Sequence, residues 1–234
     1  MTEAFLERDF KAYERHRQDD PEYNALRLAV RRKLKAMADA VQKQAKGLGV
    51  ELSAQAGLHH PYTFNSYRVR EQRAYLCRGP KERKKLASFF GEALGKDAET
   101  HYIQTVLEVC IDDQIVEAAL RIHPQAWWDG ENLKKKVLQD PAKLDELCTR
   151  LRALPPGFNF KLHDWKKDNW CSAAKPAEIK ETLGHYTPGN HWLHVQRQLP
   201  KEDALAMGPD AEAWVSSSLL ALLPVYSFVL WDPS

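Results

Sequence analysis

Residues 103 to 122 alternate in polarity with a period of two. Ile103, Thr105, Leu107, Val109 and Ile111 share one parity, Asp112-Asp113 interrupts it, and Val116, Ala118, Leu120 and Ile122 resume it. This pattern predicts two antiparallel strands joined by a turn, with one face of the pair buried. A hairpin cannot bury that face alone, so another layer of the chain has to cover it. Upstream, Tyr23, Leu26, Val30, Leu34, Met37, Val41 and Ala45 recur at steps of three and four, which predicts a helix with one continuous apolar stripe. Asp20-Pro21 supplies an N-cap acceptor and a proline at the first helical position, and Gly47 or Gly49 a left-handed terminator.

The other segments divide at proline and glycine. Thr2 can cap a short first helix with Phe5, Leu6, Phe10 and Tyr13 on one side. Between Pro61 and Arg78, Tyr67 and Val69 alternate with Arg68 and Arg70, which predicts a strand or tight hairpin bent near Glu71-Gln72. Gly79-Pro80 opens a helix with Leu86, Phe89, Phe90 and Leu94 turned inward. Helices follow over 125–138 and 141–154, a strand over 158–165, a helix over 176–183 and a strand over 191–198. A helix over 209–223 and a last strand over 225–231, apolar on both sides, complete the chain. Helices and antiparallel strands in mixed order define an α+β fold, with one mixed, largely antiparallel sheet of about five strands and helices packed on it. The expected organisation is one domain over residues 1–234, with a basic helical part over 1–95 and a β-rich mixed part over 96–234.

Ala118-Ala119-Leu120-Arg121-Ile122-His123-Pro124, the helix after it and then Asp140-Pro141-Ala142 resemble a bacterial domain family of unknown function. In that family a strand leads through a proline into a helix and an Asp-Pro turn. Tyr67 to Arg78 is similar to its arginine-bearing strand, so the likeness covers about a third of the chain. The resemblance implies an α+β fold and nothing about chemistry.

Charge is distributed unevenly. Between Arg27 and Lys85 fifteen lysines and arginines stand against Asp39, Glu51, Glu71 and Glu82, a net +11, while the whole chain is +2 and the remainder therefore −9. A clustered positive field attracts phosphates or acidic protein patches. The candidate anion-binding or nucleic-acid-binding residues are Arg27, Arg31, Lys35, Arg68, Arg70, Arg73, Arg78, Lys84 and Lys85. Arg27, Arg31 and Lys35 flank the helical stripe at intervals of four, where aliphatic stems covering an apolar edge are the favoured account for this helix alone. Lys81, Arg83, Lys84 and Lys85 crowd the start of a helix, against its dipole, which favours an anionic partner. Arg68, Arg70, Arg73 and Arg78 interleave with Tyr62, Phe64, Tyr67 and Tyr75, the pairing by which single-stranded nucleic acid is held. Internal pairing with the acidic remainder is the competing account. The expected function is thus non-catalytic binding of nucleic acid or an acidic protein.

The alternative is a metal-dependent nuclease or hydrolase at the end of the 158–165 strand. There His163, Asp164 and Lys166 could supply a ligand or base, a carboxylate for Mg²⁺ and an ammonium for the phosphate. It lacks an obvious second carboxylate, since Asp112 and Asp113 fall in a turn and Asp129, Asp140 and Asp145 on or beside helices. The histidines, including His59, His60, His123, His191 and His194, have no metal-ligand spacing, and Cys77, Cys110, Cys148 and Cys171 are far apart. Neither a glycine-flanked serine nor a glycine-rich phosphate loop occurs, so no metal and no cofactor is expected. All seven tryptophans lie beyond residue 126, where packing accounts for them. The charged N-terminus and the lack of a long uninterrupted apolar run lead us to expect a cytoplasmic protein with reduced thiols, not bound to membranes.

Overall fold

The computed structural model describes residues 5–90, 103–163 and 165–232. Its centre is the hairpin: β3 (Val106–Ile111) and β4 (Ile115–Ile122) pair with Leu107 opposite Leu120, Val109 opposite Ala118 and Ile111 opposite Val116. Asp112 closes the turn by accepting from Gln114 and Ile115 N–H. The long helix α2 (Asn24–Gly47) runs on from a short 3₁₀ turn capped by Asp20, and buries Val30, Leu34, Met37, Val41 and Ala45 against the sheet. A shorter helix, α1 (Glu7–Lys11), precedes it. Phe5, Phe10 and Tyr13 are buried, whereas Leu6 faces solvent because it holds the N-cap position. The expected Thr2 cap lies outside the described residues.

Two strands lie upstream of the hairpin, β1 (Leu52–Ala56) and β2 (Gln72–Arg78), so the sheet crosses the expected boundary at residue 95. Helix α3 (Pro80–Phe90) starts after Gly79. Downstream come α4 (Trp127–Gln139), α5 (Pro141–Arg152), β5 (Asn159–Leu162), α6 (Pro176–His185), β6 (Leu193–Pro200), α7 (Lys201–Met207), α8 (Asp210–Ala221) and α9 (Leu223–Val229). Among the described residues the sheet has six strands in the order β1-β2-β3-β4-β6-β5, and every pairing is antiparallel. The expected mixed sheet of about five strands is corrected accordingly. Strand β1 is not legible in the sequence because Ser53, Ala54 and Gln55 have little intrinsic strand preference; pairing with β2 makes it a strand.

Two expected elements differ. Of the strand or hairpin expected over 61–78, the part beyond the bend is β2, but residues 61–71 form no strand: Ser66 and Tyr67 both have left-handed φ (54° and 57°), which a strand cannot contain. Asn65 explains the turn, since its side chain accepts from Tyr62 N–H at 2.7 Å and donates to His60 O at 2.8 Å. The expected last strand over 225–231 is instead helix α9, with Pro224 in its first turn, where a missing N–H is harmless. An apolar run alone does not separate a buried helix from a buried strand.

Register fixes the two faces of the sheet. Leu107, Val109, Ile111, Val116, Leu120, Val195 and Leu193 face α2, α7 and α8 and join a core extending from Phe5 to Val229. The stretch Asp210–Val229 is long and apolar enough to cross a membrane (mean hydropathy 1.3), but half of it is buried in this core. Near its other end the core is tightly packed around α4. A Cβ added to Gly130 would fall on the hydroxyl of fully buried Tyr186 and 3.0 Å from the ring carbon that carries it. Gly130→Ala should therefore lower stability by about 1–3 kcal/mol despite alanine's better helix propensity. Tyr186→Phe in the same chain should recover part of the loss in urea denaturation.

Candidate nucleic-acid interface and an adjoining polar pocket

The basic segment does not form one patch. Arg27 is fully buried and donates to Ala12 O, Arg17 O, Asp20 O and Asn24 Oδ1, tying the segment 12–20 to α2. Arg78 is buried as well, at 1% exposure, and forms a fork with fully buried Asp129 at 3.0 and 2.6 Å. Neither can meet a partner at the surface, which corrects their place among the candidates. A chain this size must satisfy its own buried acceptors, and these guanidiniums do so. Arg31 donates to Gly57 O at 2.8 Å, Lys35 pairs with Asp39, Lys85 with Asp232, and Arg73 with Glu71 and Glu108. Lys84 and Lys85 stand on α3, which starts beyond the opposite end of β2 from Arg70.

Arg68 and Arg70 remain exposed, with no ionic partner among the described residues. They belong to a loop, 57–71, whose ends are pinned. Gly57 O accepts from Arg31 and from Gln72, and buried Val69 donates its N–H to Gln18 O at 2.8 Å. Between the pins the loop presents rings. His59 and His60 meet edge to face, His60 meets Tyr62 likewise, and Tyr62 stacks with Phe64 at 5.9 Å between centroids. Phe64 is 86% exposed, Tyr67 61% and Tyr62 48%. Half of the exposed large hydrophobic residues among those described lie on this loop (Leu58, Tyr62, Phe64 and Tyr67), a concentration that marks an interaction surface. Burial and the nearby His60, Arg31 and Arg32 lower the His59 pKa, so α2 adds positive potential here. A concavity of about 390 Å³ opens between Phe64 and the three guanidiniums Arg68, Arg70 and Arg73.

A second concavity, of about 440 Å³, adjoins the first, and Glu71 and Arg73 line both. It lies on the sheet face turned away from α2 and α8. There the strands place Arg73 opposite Cys110, Arg121 opposite His194, and Glu117 opposite Gln198. Glu108 receives Arg121 at 3.0 Å and Arg73 at 3.6 Å, while Glu117 receives Arg121 and, at 2.8 Å, Gln198. Burial would lower the Arg121 pKa, but the two carboxylates raise it. Cys110, pushed up to about 12 by burial, keeps its proton and donates to Glu71 at 3.3 Å.

Aromatic groups close one side of this pocket. Trp192 meets His123 at 4.1 Å and His194 at 5.8 Å, and the His163 ring lies 5.5 Å from that of His194. His194 is 3% exposed, and burial beside Arg121 holds its pKa down to about 3, so the ring is neutral. Its Nδ1 lies 2.9 Å from Gln196 Oε1, a carbonyl acceptor, so Nδ1 carries the proton and Nε2 is an acceptor. Among the described residues Nε2 has no hydrogen-bond partner, and neither does Arg121 Nε; both atoms are enclosed. In the sequence, His191 and His194 show only that they differ in parity. Glu108, Glu117 and Arg121 are visible there as the polar parity of the hairpin, but which strand lies beside β4 is not.

Of the alternative catalytic set, His163 and Lys166 are exposed, His163 at the pocket rim, and Asp164 lies outside the described residues. Among the described residues no group of three or more His, Cys, Asp or Glu could hold a metal ion. No family model matches the chain, and no curated protein matches it.

Proposed function

We propose that this protein binds single-stranded nucleic acid on the 57–71 loop, with Arg68 and Arg70 on phosphates and the Tyr62–Phe64 rings against bases. The observation that carries the reading is the exposed ring ladder beside two unneutralised guanidiniums on a pinned loop. Rings stack on any base and cations follow the backbone, so the pairing suits single strands of either sugar. An acidic protein patch would answer the arginines but leaves an 86% exposed Phe64 without a reason. The four buried free thiols accord with work in a reducing compartment.

Fluorescence anisotropy with labelled oligo-dT and oligo-U across a salt series tests this. Binding should weaken steeply with salt, and Arg68→Ala with Arg70→Ala should make the log–log slope shallower by about 1.4, at about 0.7 for each phosphate no longer neutralised. Phe64→Ala should cost about 1–3 kcal/mol at every salt concentration and leave the slope alone. Absence of binding at low salt would overturn the reading.

A further inference from the structure

We infer that the concavity beside Phe64 is a guanine-selective subsite, with the Glu71 carboxylate as the group that reads the base. This rests on the proposed nucleic-acid binding and adds which base of the strand is preferred. The sign of the charge is the first argument. Glu71 is the only acid among the described residues lining a space that Arg68, Arg70 and Arg73 also line. A carboxylate there repels the phosphates that the arginines attract, so it does not serve backbone binding. It can serve a base, whose pairing edge presents N–H donors that an acceptor must meet.

The surroundings hold Glu71 ready. One of its oxygens receives Arg73 and the other the Cys110 thiol at 3.3 Å, both partners standing on the sheet. A carboxylate has about four lone-pair sites, so each oxygen keeps one for a ligand. The Glu71 side chain is 36% exposed and therefore within reach of one. Of the other side-chain acceptors in the lining, Asn65 is spent on the loop's own turn, which leaves Glu71 and the exposed Ser66 hydroxyl. Paired acceptors discriminate among bases. Guanine alone sets two donors side by side on its pairing edge, N1–H and the 2-amino group. Adenine and cytosine offer one amino group beside an acceptor, and uracil and thymine one N–H between two carbonyls. Phe64, 86% exposed and lining the same space, supplies a ring for the base to lie on. At about 390 Å³ the space is within the range of about 300–1,000 Å³ usual for small-ligand sites.

Thymidine strands of about ten nucleotides, each with one central guanine, adenine, cytosine or hypoxanthine, separate this inference from the reading beneath it. In fluorescence anisotropy the guanine strand should bind about five- to a hundredfold tighter than the others, the usual discrimination of a bidentate pair. Hypoxanthine is guanine without the 2-amino group, so its strand should lose most of that preference. Glu71→Gln should lose it too, read as the ratio of guanine to adenine strands, because removing a carboxylate raises the affinity of every strand. Thermal melts confirm that this variant folds, and the hypoxanthine comparison needs no variant. Equal binding of all four strands would overturn the subsite and leave the loop reading standing. So would equal binding of guanine and adenine above cytosine, which stacking alone produces. A guanine preference that survives Glu71→Gln would overturn Glu71 as its reader. No binding of any strand at low salt would overturn the loop reading, and the subsite with it.

Discussion

Asp129→Ala should be the most damaging single substitution in this protein, lowering stability by about 3–5 kcal/mol. For a chain of this length that corresponds to a melting temperature lower by roughly 6–20 °C. The carboxylate is fully buried on α4 and accepts from five donors: Arg78 Nη1 and Nη2, Thr105 N–H and Oγ1–H, and Trp231 N–H. Burial would raise its pKa, but the Arg78 guanidinium holds it below the usual carboxylate range, so it is ionised. It joins β2, the approach to β3, α4 and the C-terminal end into one knot. Removing it leaves a buried guanidinium without its counter-charge, and that uncompensated charge sets the cost. Arg78→Met with Asp129→Leu removes both charges and should recover much of the loss. Urea denaturation of the three variants measures this, and a parent-like Asp129→Ala would show that the knot does not hold the fold.

Acid should destabilise the protein well before its carboxylates titrate. His194 is held at about 3 and His123 at about 4, mainly by burial, against about 6.5 in the unfolded chain. Depressed histidines leave the unfolded state binding more protons between those limits, so stability rises with pH there and falls as pH drops below about 6.5. A fully buried histidine contributes up to about 1.4 kcal/mol per pH unit, on the order of 2 kcal/mol between about pH 6.5 and pH 5 for His194. His123 is only half-buried and contributes less. The groups acting on His194 besides burial are Arg121, Gln196, Glu108 and His163. Asp129 and Glu146, with lowered pKa values, lose their stabilisation only at more acid pH, so the window above about pH 5 isolates the histidines. His194→Gln should flatten urea-derived stability across that window; an unchanged slope would mean that the ring is protonated in the folded state.

Much of the scaffold is readable from local pattern. The period-three-and-four stripe of α2, the alternation of β3 and β4, and the Asp-Pro starts at residues 20 and 140 are short-range instructions that the chain obeys. Failures come where local pattern is ambiguous or overruled. Val225 to Trp231 is apolar enough for either element, and the Asn65 turn defeats the Tyr67–Arg70 alternation. At the candidate site, Arg68 and Arg70 are exposed cations with Phe64 and Tyr62 as their aromatic neighbours, a grouping already visible in the order of the residues. Arg27 and Arg78 look the same in sequence and are buried.

By itself, then, the amino-acid order determined which residues share a face within each helix or strand, because that depends on a period of a few residues along the backbone. Only the tertiary structure decided which charges are spent inside the molecule and which groups meet across it. Arg78 finds Asp129 51 residues away, and β6 comes to lie beside β4 after the intervening β5, placing His194 opposite Arg121. Periodicity states how a segment turns, but it carries no information about its neighbour, and both the buried ion pair and the polar pocket are made of neighbours.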